Sequence, residues 1–266
     1  MEEAEKQFIK AIEVEPKRIL SQIHLGDFYL IWGKKEKAIE SYQKAVEADS
    51  KNIPARAKLA EVFLNNNQFD KASEMIGKIL EMNPKSHEGI FLKGRLHLAK
   101  REFNDALNFF QSYLKENPRS FMAHHYLGLS HVGNGDIQQA KTEFTEAIKL
   151  NPDWITARGF LSDIYLRTGS LDLAIEEAKE ILKRQPKSIQ AYLILGNAYF
   201  LKRDFEKANQ NFESVIQVAP SNPIGYYHKG RILLAQKKDK EATAQFEKAL
   251  SIQPNFLEAL NLIAAV

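Results

Sequence analysis

Six prolines of the 266-residue chain, Pro84, Pro118, Pro152, Pro186, Pro220 and Pro254, stand 34 residues apart without a slip. Stepping backward reaches Ser50 and then Pro16, so the ladder holds one substitution and no insertion. A fixed period of this length restricts the chain to stacked supersecondary units, because 34 residues cannot bury their own apolar face. Other columns keep the same step. Alanine recurs from Ala4 through Ala38, Ala72 and Ala106 to Ala242. A small-residue column runs Gly26, Ala60, Gly94, Gly128, Ser162, Gly196, Gly230, Ala264, and a mostly aromatic one runs Phe8, Tyr42, Ile76, Phe110, Phe144, Ala178, Phe212, Phe246.

Inside each unit the apolar spacing is helical. In 189–222, Ala191, Tyr192, Leu195 and Tyr199 form one stripe, and Ala208, Phe212, Val215 and Ile216 form another. A short polar turn such as Asn134-Gly135-Asp136 separates them. Each unit therefore reads as helix A, a tight turn and helix B, with the ladder proline ending helix B. The two prolines off the ladder, Pro54 and Pro223, fall in the first turn of a helix A, where a missing N–H is tolerated. The small column is expected where the two helices of a unit approach closely, as at Gly94 and Ala106.

The 34-residue step, with Gly94, His97, Ala106, Phe110 and Pro118 in their spacing, resembles the tetratricopeptide repeat. Departures are local: Ser50 lacks the proline, Ala178 lacks the ring, and His97 and His131 stand where other units have Tyr29, Tyr165 and Tyr199. The resemblance implies an all-α, right-handed superhelical solenoid of antiparallel helix pairs. Seven complete repeats are expected at 19–52, 53–86, 87–120, 121–154, 155–188, 189–222 and 223–256. Residues 1–18 then form a lone helix B, and 257–266 the start of a helix A. The apolar close at Leu257, Leu260, Leu262 and Ile263 suggests a segment of a longer array, since terminal repeats usually carry a polar outer face. Head-to-tail self-association of that face with Phe8, Ile9 and Ile12 is a further expectation.

Composition narrows the function. Lys and Arg number 37 against 34 Asp and Glu, a net charge of +3, too even for the basic stripe of a nucleic-acid binder. With no cysteine, thiolate metal sites and a cysteine nucleophile are excluded. No apolar run approaches the roughly 18 residues of a membrane span. The start Met1-Glu2-Glu3-Ala4-Glu5-Lys6 lacks a signal-peptide pattern, and the sequence leaves the compartment, cytoplasm or bacterial periplasm, open. Among the seven histidines no acidic cluster is expected to converge, so neither a metal site nor a cofactor is expected. No catalytic constellation appears.

The resemblance implies that helix A lines a concave working surface. Chaperone-tail receptors of the family hold a carboxylate with a Lys/Asn pair one turn apart, and no pair here matches. The Asn ladder of sugar-nucleotide transferases is also missing: that column reads His24, Lys58, Leu92, Tyr126, Phe160, Ile194, His228. What remains is a groove of Phe91, Tyr126, Phe160 and Tyr227, with His125 beside them and Arg95, Asp163, Arg167, Asn197 and Arg231 along the edge. Aromatic anchors with a charged rim suit an extended peptide or helix of a partner protein. The expectation is a non-enzymatic scaffold. The alternatives are a docking array in a bacterial envelope or polysaccharide-export assembly, and a regulatory segment of a larger enzyme.

Overall fold

The computed structural model describes residues 2–14 and 19–265; Pro16, the first rung of the proline ladder, lies outside them. Every regular element among the described residues is an α-helix. The helices that open the units are α2 (Ile19–Ile31), α4 (Ile53–Asn65), α6 (His87–Ala99), α8 (Phe121–Asn134), α10 (Ile155–Arg167), α12 (Ile189–Leu201), α14 (Ile224–Ala235) and α16 (Leu257–Ala264). Those that close them are α1 (Glu2–Val14), α3 (Lys35–Ala48), α5 (Phe69–Met82), α7 (Phe103–Glu116), α9 (Ile137–Leu150), α11 (Leu171–Arg184), α13 (Phe205–Val218) and α15 (Asp239–Ile252). Pro223 sits just ahead of α14 instead of inside its first turn. No helix among the described residues is long and apolar enough to cross a membrane. The chain divides into two compact units, Met1–Glu143 and Phe144–Val266.

Several boundaries have a local cause. Asn52, Ser86, Ser120 and Ser188 accept the N–H three residues on, capping α4, α6, α8 and α12. Between the two helices of a unit, one residue turns left-handed. It is Gly33, Gly135 or Gly169 in three turns, and Asn67, Arg101, Arg203 or Lys237 in the others. These seven positions are themselves 34 apart, so a left-handed residue is required in that turn whatever its side chain.

A third recurring device joins units to their neighbours. Arg56 donates to the carbonyl of Ser50 at 2.7 and 3.1 Å. Arg158 donates to that of Pro152 at 3.1 and 3.2 Å, and the Tyr192 hydroxyl to that of Pro186 at 2.9 Å. The His124 imidazole lies 3.2 Å from the Pro118 carbonyl oxygen. In each case a side chain on the first turns of an opening helix reaches six residues back to the ladder position, satisfying a carbonyl left exposed where the preceding helix ends.

The interior is built from the small and aromatic columns. Tyr42, Phe110, Phe144, Phe212 and Phe246 are fully buried. A Cβ added at Gly94 would stand 2.8 Å from the Phe110 ring, and one at Gly26, Gly196 or Gly230 would meet Tyr42, Phe212 or Phe246 in the same way. Where the ring is replaced, at Ile76 and Ala178, the small column carries Ala60 and Ser162. The columns thus trade volume pairwise, as close packing demands. At the first helix, Glu5 accepts from the Tyr29 hydroxyl at 2.8 Å and from Lys37 and Lys34. Those donors hold its carboxyl down to about 2.

Candidate functional site

In the first unit, α4 packs on α6 and α6 on α8, which brings three successive opening helices side by side. Between them lies a cleft of about 580 Å³, within the roughly 300–1,000 Å³ of ligand sites. Phe91, Leu92 and Tyr113 form its apolar floor, and Met122 stands 37% exposed at its edge. The floor is held by rings: Phe91 meets Tyr113 at 5.1 Å, Tyr126 at 5.5 Å and Phe110 at 5.7 Å between centroids. Ring contacts of this kind fix the side chains before anything binds.

Arg95 stands beside this cleft, committed to neighbours. It donates to Glu61 and to Asn65, each at 3.0 Å, and its guanidinium lies 5.3 Å from the Tyr126 ring centroid. Lys58 pairs with Asp27 at 2.9 Å. Tyr126 is half-buried, stacked on Phe110. His125 departs from the sequence expectation. It is buried, with 4% exposure, and points into the helix packing instead of the cleft. Position 125 lies one residue from Tyr126, and 100° of helix rotation separates the two directions. Burial drives its pKa down to about 4, keeping it neutral.

The second unit carries the other predicted residues. Phe160 stacks on Phe144 at 5.6 Å and leaves 37% of its surface exposed. Asp163 and Arg167 are at the surface, and Asn197 is half-buried. Partial desolvation raises the Asp163 carboxyl, with Arg167 opposing the shift. Tyr227 packs against Phe256 and Phe246, and Arg231 lies over Phe200 at 4.9 Å while donating to His228 at 3.0 Å. These two are engaged in the interior more than the sequence suggests.

One expectation is corrected outright. Acidic residues do converge on a histidine: His97 Nδ1 lies 2.6 Å from Glu102 and 3.9 Å from Asp105. The turn into α7 folds these two residues back over the end of α6, and Phe109 stacks on the imidazole at 5.1 Å. The His131 ring repeats the arrangement with Asp136 at 3.4 Å. Glu88 and Met122, which the helical spacing places on the concave columns, line the cleft, and so do Tyr113 and Arg119, which it does not. Arg119 follows a ladder proline directly, in a column that reads Lys51, Lys85, Arg119, Asp153, Lys187, Ser221 and Asn255.

Known proteins share this fold. The tetratricopeptide repeat family matches at residues 33–89, and through a second pattern of the same repeat at 126–189, 163–210 and 193–255. The anaphase-promoting complex, cyclosome, subunit 3 family matches at 65–147. No curated protein matches. Among solved structures, a tetratricopeptide repeat protein from Parabacteroides merdae is similar over 92% of this chain and 97% of its own, with 20% identity and a TM-score of 0.62. A thermophilic protein of the same repeat class from Thermus thermophilus is similar over 68% of this chain and 99% of its own, with 20% identity and a TM-score of 0.61. The Cut9–Hcn1 hetero-tetramer of the APC/C gives a TM-score of 0.74 at 16% identity; 97% of this chain aligns to 51% of that one. Period, buried columns and family matches agree: the chain belongs to the tetratricopeptide repeat family.

Proposed function

We propose that the protein is a non-enzymatic scaffold that holds a segment of a partner protein in the cleft of its first unit. The observation carrying this reading is the open apolar floor of Phe91, Leu92 and Tyr113, pre-set by ring packing, with Met122 exposed at its edge. Pre-organised aromatic floors with polar rims are what peptide anchors use. In the second unit, Phe160, Asp163 and Arg167 supply a further exposed surface of similar chemistry, with Asn197 half-buried.

Site-directed photo-crosslinking tests the reading without disturbing the interior. A photoreactive residue at Met122 should capture partner polypeptide, whereas one at Lys240, exposed on α15, should not. Equal capture at the two positions would contradict the assignment. A docking array within a large assembly is the second reading, favoured by the APC/C similarity; it predicts capture spread over both positions.

A further inference from the structure

We propose that His97, Glu102 and Asp105, at the turn between α6 and α7, bind one divalent ion of the zinc class. The site does not depend on the cleft reading. His97 Nδ1 stands 2.6 Å from the Glu102 carboxylate and 3.9 Å from that of Asp105, and one donor atom of each residue lies within 4.8 Å of the other two. Donors around a tetrahedral zinc stand about 3.3 Å apart, given metal–ligand lengths of about 2.0–2.2 Å. Small swings of the carboxylates close the difference. The His97 side chain is 21% exposed and is stacked on Phe109, whereas Glu102 and Asp105 are 46% and 60% exposed and free to turn. The backbone fixes the frame. Arg101 turns left-handed, and the Glu102 N–H then donates to the His97 carbonyl at 2.9 Å. Glu102 heads α7 without capping it, since its carboxylate is turned toward the imidazole.

Other repeats place a cation at the equivalent spot. Lys37 lies 5.2 Å from the Tyr29 ring centroid, Lys71 lies 5.5 Å from Phe63, and Lys207 lies 5.3 Å from Tyr199. Lys207 also pairs with Asp204 at 2.8 Å. These rings share the column of His97, these lysines that of Asp105, and Asp204 that of Glu102. In 87–120 the ring has become an imidazole and the lysine an aspartate, so two carboxylates converge where a carboxylate and an ammonium meet in 189–222. A bound ion supplies the positive charge that lysine supplies elsewhere. The next repeat keeps His131 and Asp136 but carries Gln139 in the third column, and no other repeat has a histidine or carboxylate in all three. One imidazole nitrogen with two carboxylate oxygens suits zinc and its first-row neighbours, whereas calcium and magnesium take oxygen ligands. Water completes the coordination.

The test is titration of the tag-free protein with zinc chloride, followed by calorimetry and by the ¹H–¹⁵N signals of the histidine rings. Zinc should bind at one equivalent with a dissociation constant of about 100 µM or tighter. The imidazole signal that shifts should be the one missing from His97→Tyr, a variant carrying the residue found in this column at Tyr29, Tyr165 and Tyr199. Asp105→Lys, which installs the residue of Lys37, Lys71 and Lys207 at an exposed position, should weaken binding at least about tenfold, as should Glu102→Gln. Asp136→Asn should leave it unchanged. Binding weaker than about 100 µM, or a shift confined to other imidazoles, would overturn the site. Wild-type affinity in folded Asp105→Lys or Glu102→Gln would also overturn it, since a two-donor pair would then suffice.

Discussion

Arg95 donates a hydrogen bond of 3.0 Å to Glu61, the residue one full repeat before it at the same helical position. The same guanidinium reaches Asn65 and lies over Tyr126, so a single side chain ties three successive opening helices. Its side chain is only 15% exposed, against 41% for Glu61. An exposed pair contributes up to about 1 kcal/mol, and the ring contact adds about 0.5–1 kcal/mol. Arg95→Ala should therefore cost about 1–2 kcal/mol, read as a lower urea midpoint. Glu61→Gln should cost less, because Arg95 keeps its other two contacts. Equal losses would place the whole effect in the ion pair.

The left-handed column offers a gain. Arg101 and Arg203 hold φ near 63° and 61° without being glycine, a conformation that costs an ordinary residue about 1–2 kcal/mol. Glycine recovers this cost but loses part of it to greater freedom in the unfolded chain. Arg101→Gly and Arg203→Gly should each stabilise by about 0.5–1 kcal/mol, and Gly169→Ala should destabilise. A urea midpoint that falls in Arg203→Gly would show that the arginine makes a compensating contact.

Volume exchange between the columns predicts non-additive mutations. Gly94→Ala pushes a methyl into Phe110, at a cost of about 1–3 kcal/mol for overpacking. Phe110→Ala leaves a cavity, at about 3–5 kcal/mol. The double variant should be no less stable than Phe110→Ala alone, because the added methyl enters the vacated space, as Ser162 does opposite Ala178. A double-mutant cycle on thermal or urea unfolding checks the coupling. Simple addition of the two losses would mean that the residues do not meet.

Acid should weaken the fold through two buried imidazoles. Burial lowers His125 to about 4 and His228 to about 3, with the nearby charge of Arg231 adding to the latter. An unfolded histidine titrates near 6.5. As pH drops below that value the unfolded chain gains protons that the folded chain refuses, so stability declines down to pH 3–4. The slope is at most about 1.4 kcal/mol per pH unit for each group. His125→Leu should flatten the decline between pH 6 and 4. An unaltered slope would mean that this imidazole takes up its proton without unfolding.

The helix order is legible in the sequence because a 34-residue register repeats, and each column averages over seven or eight chances to reveal itself. The left-handed column is hidden for the opposite reason: Gly, Asn, Arg and Lys share a backbone angle and nothing else. The cleft is half legible. Phe91 and Tyr126 stand out as rings on an opening helix, but whether a ring faces a cleft or a neighbour depends on a rotation of one residue, as His125 shows. Glu102 and Asp105 approach His97 through the fold-back of a turn, which helical spacing does not encode.

The ladder carbonyls show how such a chain drifts. Two arginines, a histidine and a tyrosine reach back to the same oxygen in four different units, so what recurs there is a reach of six residues and not an identity. A socket that accepts several unrelated plugs lets letters change freely while the helices keep their places. Relatives of this protein can thus grow apart in wording to the edge of recognition and still be superimposed.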